Sequence, residues 1–319
     1  MTLNVIVNNM IGVDSEVGLG QARSSDDAEK SILLKADDYH GVLVGNGSGV
    51  VVTDAMDFVG NSNAATFQGL IDELERDQQV KHEIRYQRQL GQIQTGIETK
   101  YRMISDPAKR EELTSREFSQ AVDQFNGQVR DAVRHGVGSL HILGYDKKAQ
   151  SFSKFQLPDH RGAVMGKLDI VSAFADGTGG DLAGAYLATQ VSGMDWDQIK
   201  PEQTFYFISL ACAAATANAG VGGFMSIAEV TKDGVSYIDP IQVNAAVRVA
   251  SKQIAGVIGK GEAMDMVADL YSGKSNYKNI AMELDITESD LKYAPTHLHQ
   301  DVSKFNRQMA VNGKTEPEA

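Results

Sequence analysis

Thr2 is the first residue of this chain with the makings of a catalyst. Methionine is ordinarily trimmed from in front of so small a residue, so the sequence predicts a mature chain that starts with a free Thr2 amine. One residue then supplies a hydroxyl nucleophile and a general base together, since an α-amine titrates at about 7.7–8.0. Thr2 heads the alternating apolar run Leu3-Asn-Val-Ile-Val7, which reads as a strand. Asp14 and Lys30 stand sixteen residues apart in the same segment.

The remaining chemistry-bearing residues offer less. Gly45-Asn-Gly-Ser-Gly49 reads as a tight loop at a strand end, of the kind that lets a ligand's backbone come close. Gly18-x-Gly20 lacks a helix start at the spacing a phosphate loop needs. Cys212, the only cysteine, sits in the apolar run Leu210-Ala-Cys-Ala-Ala-Ala and reads as a small core residue. A disulfide framework and a cysteine metal site are thereby excluded, and a reducing compartment is expected. His297-x-His299 has no evident third ligand, and no G-x-S-x-G elbow is present. No metal and no cofactor are expected.

These residues need a scaffold, and 319 residues with 42% hydrophobic and 23% charged content are enough for a full core. The net charge of −12 argues against nucleic acid or an anionic membrane as partner, because either needs a concentrated basic face. The N-terminus has no basic region and too short an apolar run for a signal peptide, and no run reaches the length of a membrane span. A cytoplasmic protein is expected.

Strand periodicity covers residues 2–7 and 10–13, with Asn8-Asn9 as the turn, then 31–34 and 41–44. Val17 to Asp27 reads as a Gly- and polar-rich loop. From Val52 to Arg134 the spacing turns helical, broken at Asp106-Pro107. Strands return as a hairpin from Ser139 to Leu157 and a further strand from Leu168 to Phe174. Helices follow over 182–187 and 202–218, then a hairpin, 224–230 and 235–238, with Lys232-Asp-Gly as its turn. The last section is mainly helical, 245–258 and 261–270, with a polar tail. Strands, long helices, strands, helices, strands is not the alternation of a doubly wound sheet. It suits antiparallel sheets stacked between helix layers, an α+β fold.

The order resembles the proteasome β-subunit, HslV and Anbu group of N-terminal-nucleophile (Ntn) hydrolases. The residues that carry the resemblance are Thr2 at the head of the first strand, Asp14-Ser15 ending the second, and Lys30 sixteen residues after that aspartate. Ile142-Leu-Gly-Tyr-Asp, Gly177-Thr-Gly-Gly-Asp-Leu-Ala183 and Gly222-Gly223 before a hairpin follow in the family's order, over residues 2–240. The resemblance implies a four-layer αββα sandwich over 1–240, with a long helical insertion at about 52–134. Residues 241–319 lie outside it, as a mainly helical extension.

The resemblance further implies a threonine-type peptidase or amidohydrolase that assembles into a self-compartmentalising homo-oligomeric ring and takes a peptide or protein substrate. Thr2 would attack the scissile carbonyl, and Lys30 would lower the hydroxyl's pKa while Asp14 orients and charges Lys30. Backbone N–H groups around Gly45, Gly47 and Ser48 would form the oxyanion hole, and Thr178 and Asp181 would hold the amine. Departures stand beside these matches: Thr2 to Asp14 is shorter than usual, Glu16 replaces a basic residue, and Asn218 and Val221 replace an Asp and a Ser. The family's α-type subunits lack the nucleophile and only build rings, so a catalytically inactive assembly protein is the alternative. A plain α+β binding domain is the third.

Overall fold

The computed structural model describes residues 3–14, 17–19, 22–24, 31–46, 49–134, 139–158, 168–169, 173–177, 179–191, 194–195, 198–217, 221 and 225–284. Strands β1 (Leu3–Val7) and β2 (Met10–Asp14) form a hairpin whose turn holds Asn8 at φ 51°, a conformation asparagine tolerates well. Strands β3 (Val17–Leu19) and β4 (Ala22–Ser24) pair with each other where the sequence reads as a loop. Ladders that short leave too little periodicity to read. Strands β5 (Ser31–Lys35) and β6 (Tyr39–Asn46) follow, then helices α1 (Gly49–Asn61), α2 (Phe67–Tyr101) and α3 (Pro107–Arg134). Next come β7 (Ser139–Asp146), β8 (Ser151–Pro158), β9 (Leu168–Asp169) and β10 (Ala173–Gly177). Helices α4 (Gly180–Val191) and α5 (Pro201–Ala215) precede β11 (Met225–Val230) and β12 (Val235–Tyr237). Helices α6 (Pro240–Ile254), α7 (Lys260–Tyr271) and α8 (Tyr277–Glu283) complete the described chain.

Two five-stranded antiparallel sheets result, in the orders β10-β1-β2-β11-β12 and β5-β6-β7-β8-β9. The expected single strand over 168–174 is two strands in different sheets, β9 against β8 and β10 against β1. Periodicity shows that a segment is extended, not which sheet receives each half.

Strand alternation sorts side chains into layers. Leu3, Val5 and Val7 of β1 face α4 and α5, while Ile6 faces the other sheet. In β7, Leu140 and Ile142 face α1 and α2, while Leu143 and Tyr145 point inward. Helices, sheet, sheet, helices: the protein is an α+β fold, an αββα sandwich with an apolar layer between its sheets.

Local chemistry fixes the helix starts. Thr66 caps α2 by accepting from Gly69 N at 3.0 Å, and Asp106 caps α3 by accepting from Ala108 N at 3.0 Å, with Pro107 preset for the first turn. Asp239 does the same for α6, accepting from Ile241 N at 2.7 Å, so that helix begins at Pro240, ahead of the expected 245. At 35 residues, α2 runs roughly 50 Å. Its first turns (Phe67, Leu70, Ile71, Leu74) pack into the core beside the second sheet, and Phe67 lies over Gly144, where any Cβ would strike its ring. Further along, α3 pairs with α2 through Tyr86 stacked on Phe125 and Lys100 Nζ 2.7 Å from Glu117.

Helix α5 is buried nearly all round, because α6 and α7 cover the side that α4 and the sheet do not. Tyr206 donates to Gln253 Oε1 at 2.7 Å, and Tyr271 donates to Glu229 of β11, tying the C-terminal helices to the sandwich.

Candidate functional site

The sequence-based site residues divide sharply. Thr2, Lys30, Gly47, Ser48 and Thr178 lie outside the described residues, as does Asn218, while Asp14, Gly45 and Asp181 lie within them. Asp14 lies on the α5 side of the first sheet, Gly45 lies against α1 on the second, and Asp181 is exposed on α4. The ends of β1, β6 and β10 meet through the Leu3–Gly177 pairing and the Asn46–Asp176 hydrogen bond.

Leu3, which follows Thr2 in sequence, is fully buried and donates its N–H to Asp14 Oδ1 at 2.9 Å. Asp14 is 1% exposed. Alternation from Met10 and Gly12 places it on the helix side of its sheet, close enough to α5 that its charge acts on the Cys212 thiol. Burial first, then that carboxylate, pushes the Cys212 thiol up to about 12. Cys212 is therefore a protonated, buried core residue rather than a nucleophile.

Leu3 also pairs with Gly177, the residue before Thr178. Gly177 has φ 91°, a conformation that favours glycine where the chain leaves β10. A Cβ on Gly179 would stand 2.7 Å from the Ala215 Cβ and 3.0 Å from Val221 Cγ2. The glycines of the Gly177-x-Gly179 motif are thus explained by a turn and a close helix contact. Val221, at a position where the resemblance implies a supporting hydroxyl, is fully buried in the apolar core. Asp181 is exposed in the first turn of α4, where a carboxylate complements the helix dipole.

Gly45 belongs to strand β6 rather than to a loop, paired with Leu140 and approached by α1. A Cβ there would meet Val52 Cγ2 at 2.6 Å, so glycine lets the helix pack onto the strand end. Of the expected loop Gly45–Gly49, Gly45 and Asn46 belong to β6 and Gly49 opens α1.

Between the sheets at this same end, the apolar layer gives way to polar side chains. Asn4 Nδ2 is 3.1 Å from His141 Nδ1, His141 Nε2 is 3.1 Å from Ser139 Oγ, and Ser139 Oγ donates to Asp176 Oδ2. Asn46 Nδ2 donates to the same Asp176 oxygen at 3.2 Å. Burial holds the His141 imidazole down to about 4, with the nearby Asp176 carboxylate opposing. His141 is therefore neutral at neutral pH. Sequence reasoning missed this cluster. Its signal was polar residues at positions where alternation calls for apolar ones: Asn4 beside Ile6, Asn46 beside Val44, Ser139 and His141 beside Leu143, Asp176 beside Phe174.

No protein-family model matches the chain, and no curated protein matches it. Among solved structures it is similar to Anbu (ancestral beta-subunit) from Yersinia bercovieri, at 10% identity over 90% of this chain and 98% of that one, with a TM-score of 0.46. Among the described residues, no helix is long and apolar enough to cross a membrane, and no three of His, Cys, Asp and Glu are grouped to hold a metal ion.

Proposed function

We propose that the chain is a threonine-type peptidase or amidohydrolase, with Thr2 as its N-terminal nucleophile after removal of Met1, working in a cytoplasmic homo-oligomeric ring on peptide or protein substrates. The observation that supports this most is the setting of Leu3: fully buried, bonded to Asp14 at 2.9 Å and paired with Gly177. A strand start so firmly held beside a buried carboxylate suits a nucleophile that must be placed to within a fraction of an ångström.

In this reading the Thr2 hydroxyl oxygen attacks the scissile carbonyl while the α-amine takes its proton, directly or through a water. The tetrahedral oxyanion is met by backbone N–H groups around Gly45, Gly47 and Ser48. Collapse breaks the C–N bond, the amine proton passes to the leaving group, and an ester to Thr2 remains for water to hydrolyse. Lys30 stabilises the developing negative charge, Asp14 keeps Lys30 charged, and Thr178 and Asp181 hold the amine.

Hydrolysis of a fluorogenic peptide panel tests the assignment. Wild-type turnover that Thr2→Ala abolishes is the expected result, and turnover unchanged by that substitution overturns it. A second reading, a ring-forming assembly protein without activity, is favoured by Val221: it offers an apolar side chain where the resemblance implies a hydroxyl. Rings that hydrolyse nothing, with Thr2→Ala changing no property, are its signature.

A further inference from the structure

We infer that Asp176, Ser139, His141, Asn4 and Asn46 form a positioning network that locks the starting end of β1, the end of β6 and the end of β10 into one fixed relation. Its functional meaning rests on the Thr2 reading, because these strand ends lead to Thr2, to Gly47 and Ser48, and to Thr178.

The hydrogen-bond directions follow from the donor inventory. The Asn4 amide, donating to His141 Nδ1 at 3.1 Å, requires a lone pair there, which puts the imidazole proton on Nε2. Nε2–H then donates to Ser139 Oγ at 3.1 Å, and the Ser139 hydroxyl is left to donate to Asp176 Oδ2. Asn46 closes the ring, giving its amide N–H to Asp176 Oδ2 at 3.2 Å and accepting the Ser139 backbone N–H on Oδ1 at 2.6 Å. Asp176 Oδ1 accepts the Gly177 N–H at 2.7 Å. The Phe174 ring lies 5.1 Å from the imidazole, tilted against it. The side chains span four strands and both sheets.

Serine, histidine and aspartate together suggest a nucleophilic triad, and the geometry excludes one. Ser139 and His141 are 1% and 0% exposed, out of a substrate's reach. The Ser139 hydroxyl donates its hydrogen bond to Asp176 rather than to the imidazole, and Nδ1, where a triad carboxylate belongs, is occupied by Asn4. Simple stability is a poorer explanation than positioning, because the adjoining part of the intersheet layer is filled by Ile6, Ile11, Val42 and Leu143, side chains with no polar group to desolvate. At the far end of that layer a second polar group, His40 bonded to Thr231 O at 2.6 Å, enters it. What a directed network adds over aliphatic packing is restriction of geometry, since each donor must meet its acceptor.

Asp176→Asn and Ser139→Ala test the inference, with the milder Ser139→Ala deciding should the other fail to fold. Hydrogen exchange at Leu3, Ser139 and Gly177 amides is expected to quicken about tenfold or more in both variants, while Leu143 and Phe155 in the centre of the second sheet stay as in wild type. With an N-terminal-threonine-directed epoxyketone, the maximal inactivation rate should fall about tenfold or more, with half-saturation changing less than about threefold. Unchanged exchange at the three strand ends overturns the inference, as does a uniform rise across both sheets, the mark of a merely structural role. A wild-type chain that takes no adduct sinks the Thr2 reading instead, and leaves the exchange pattern to decide this one.

Discussion

Leu3 N–H and Asp14 Oδ1 meet at 2.9 Å, so the second strand's last side chain holds the first strand's first backbone group. Asp14→Ala leaves that buried N–H unsatisfied and should cost about 1–3 kcal/mol of stability in urea denaturation. Asp14→Asn keeps an acceptor oxygen and removes the charge, so it should lie within about 1 kcal/mol of wild type. If the charge serves Lys30 and Thr2, Asp14→Asn still slows epoxyketone labelling by roughly tenfold, one pKa unit's worth of lost activation. Equal labelling in Asp14→Asn and wild type would confine Asp14 to tethering β1.

His141 makes stability depend on pH. Its folded value of about 4 lies below the unfolded value of 6.5, so unfolding takes up a proton between the two. Stability should therefore fall as pH drops from about 6.5 towards 4 and level off below, by at most roughly 3 kcal/mol. Carboxylates also titrate near the lower end of that window, so the wild-type curve is compared with His141→Gln. The variant starts less stable at pH 7 and should lose less between pH 6.5 and 4.5. Parallel curves would mean that His141 is not buried neutral.

Much of the fold was legible because its signals are local. Asn8-Asn9 marks a hairpin turn, Asp106-Pro107 marks the break between two helices, and alternation in Leu3–Val7 gives the strand its two faces. The caps Thr66 and Asp239 were not legible as helix starts, because a lone Thr or Asp is as common in loops as at a helix N-terminus. Sheet membership was not legible, as the division of 168–174 between β9 and β10 illustrates, because pairing partners are distant in sequence. Of the site, the burial of Asp14 was foreseeable only as a strand end. The Asn4–His141–Ser139–Asp176 cluster depends on four strands meeting, and its polar residues read singly as interruptions of apolar runs.

The Cys212 thiol, pushed up to about 12 and buried, should not react with a disulfide reagent at pH 8 in the native protein. It should react at once in urea. Native reactivity at the rate of a free thiol would contradict the packing of α5 against the first sheet.

Gly144 leaves room for Phe67, the residue that seats α2 on the second sheet. Gly144→Ala should cost about 1–3 kcal/mol by overpacking. Adding Phe67→Leu should recover part of that loss, a coupling visible as non-additivity in a double-mutant cycle. Strictly additive losses would separate the two positions.

The central claim concerns one amine and one hydroxyl, and intact-mass analysis after epoxyketone treatment reads both. The account predicts a chain that begins at Thr2 and carries a single adduct, with the adduct lost in Thr2→Ala. A chain that keeps Met1 and takes no adduct would contradict it.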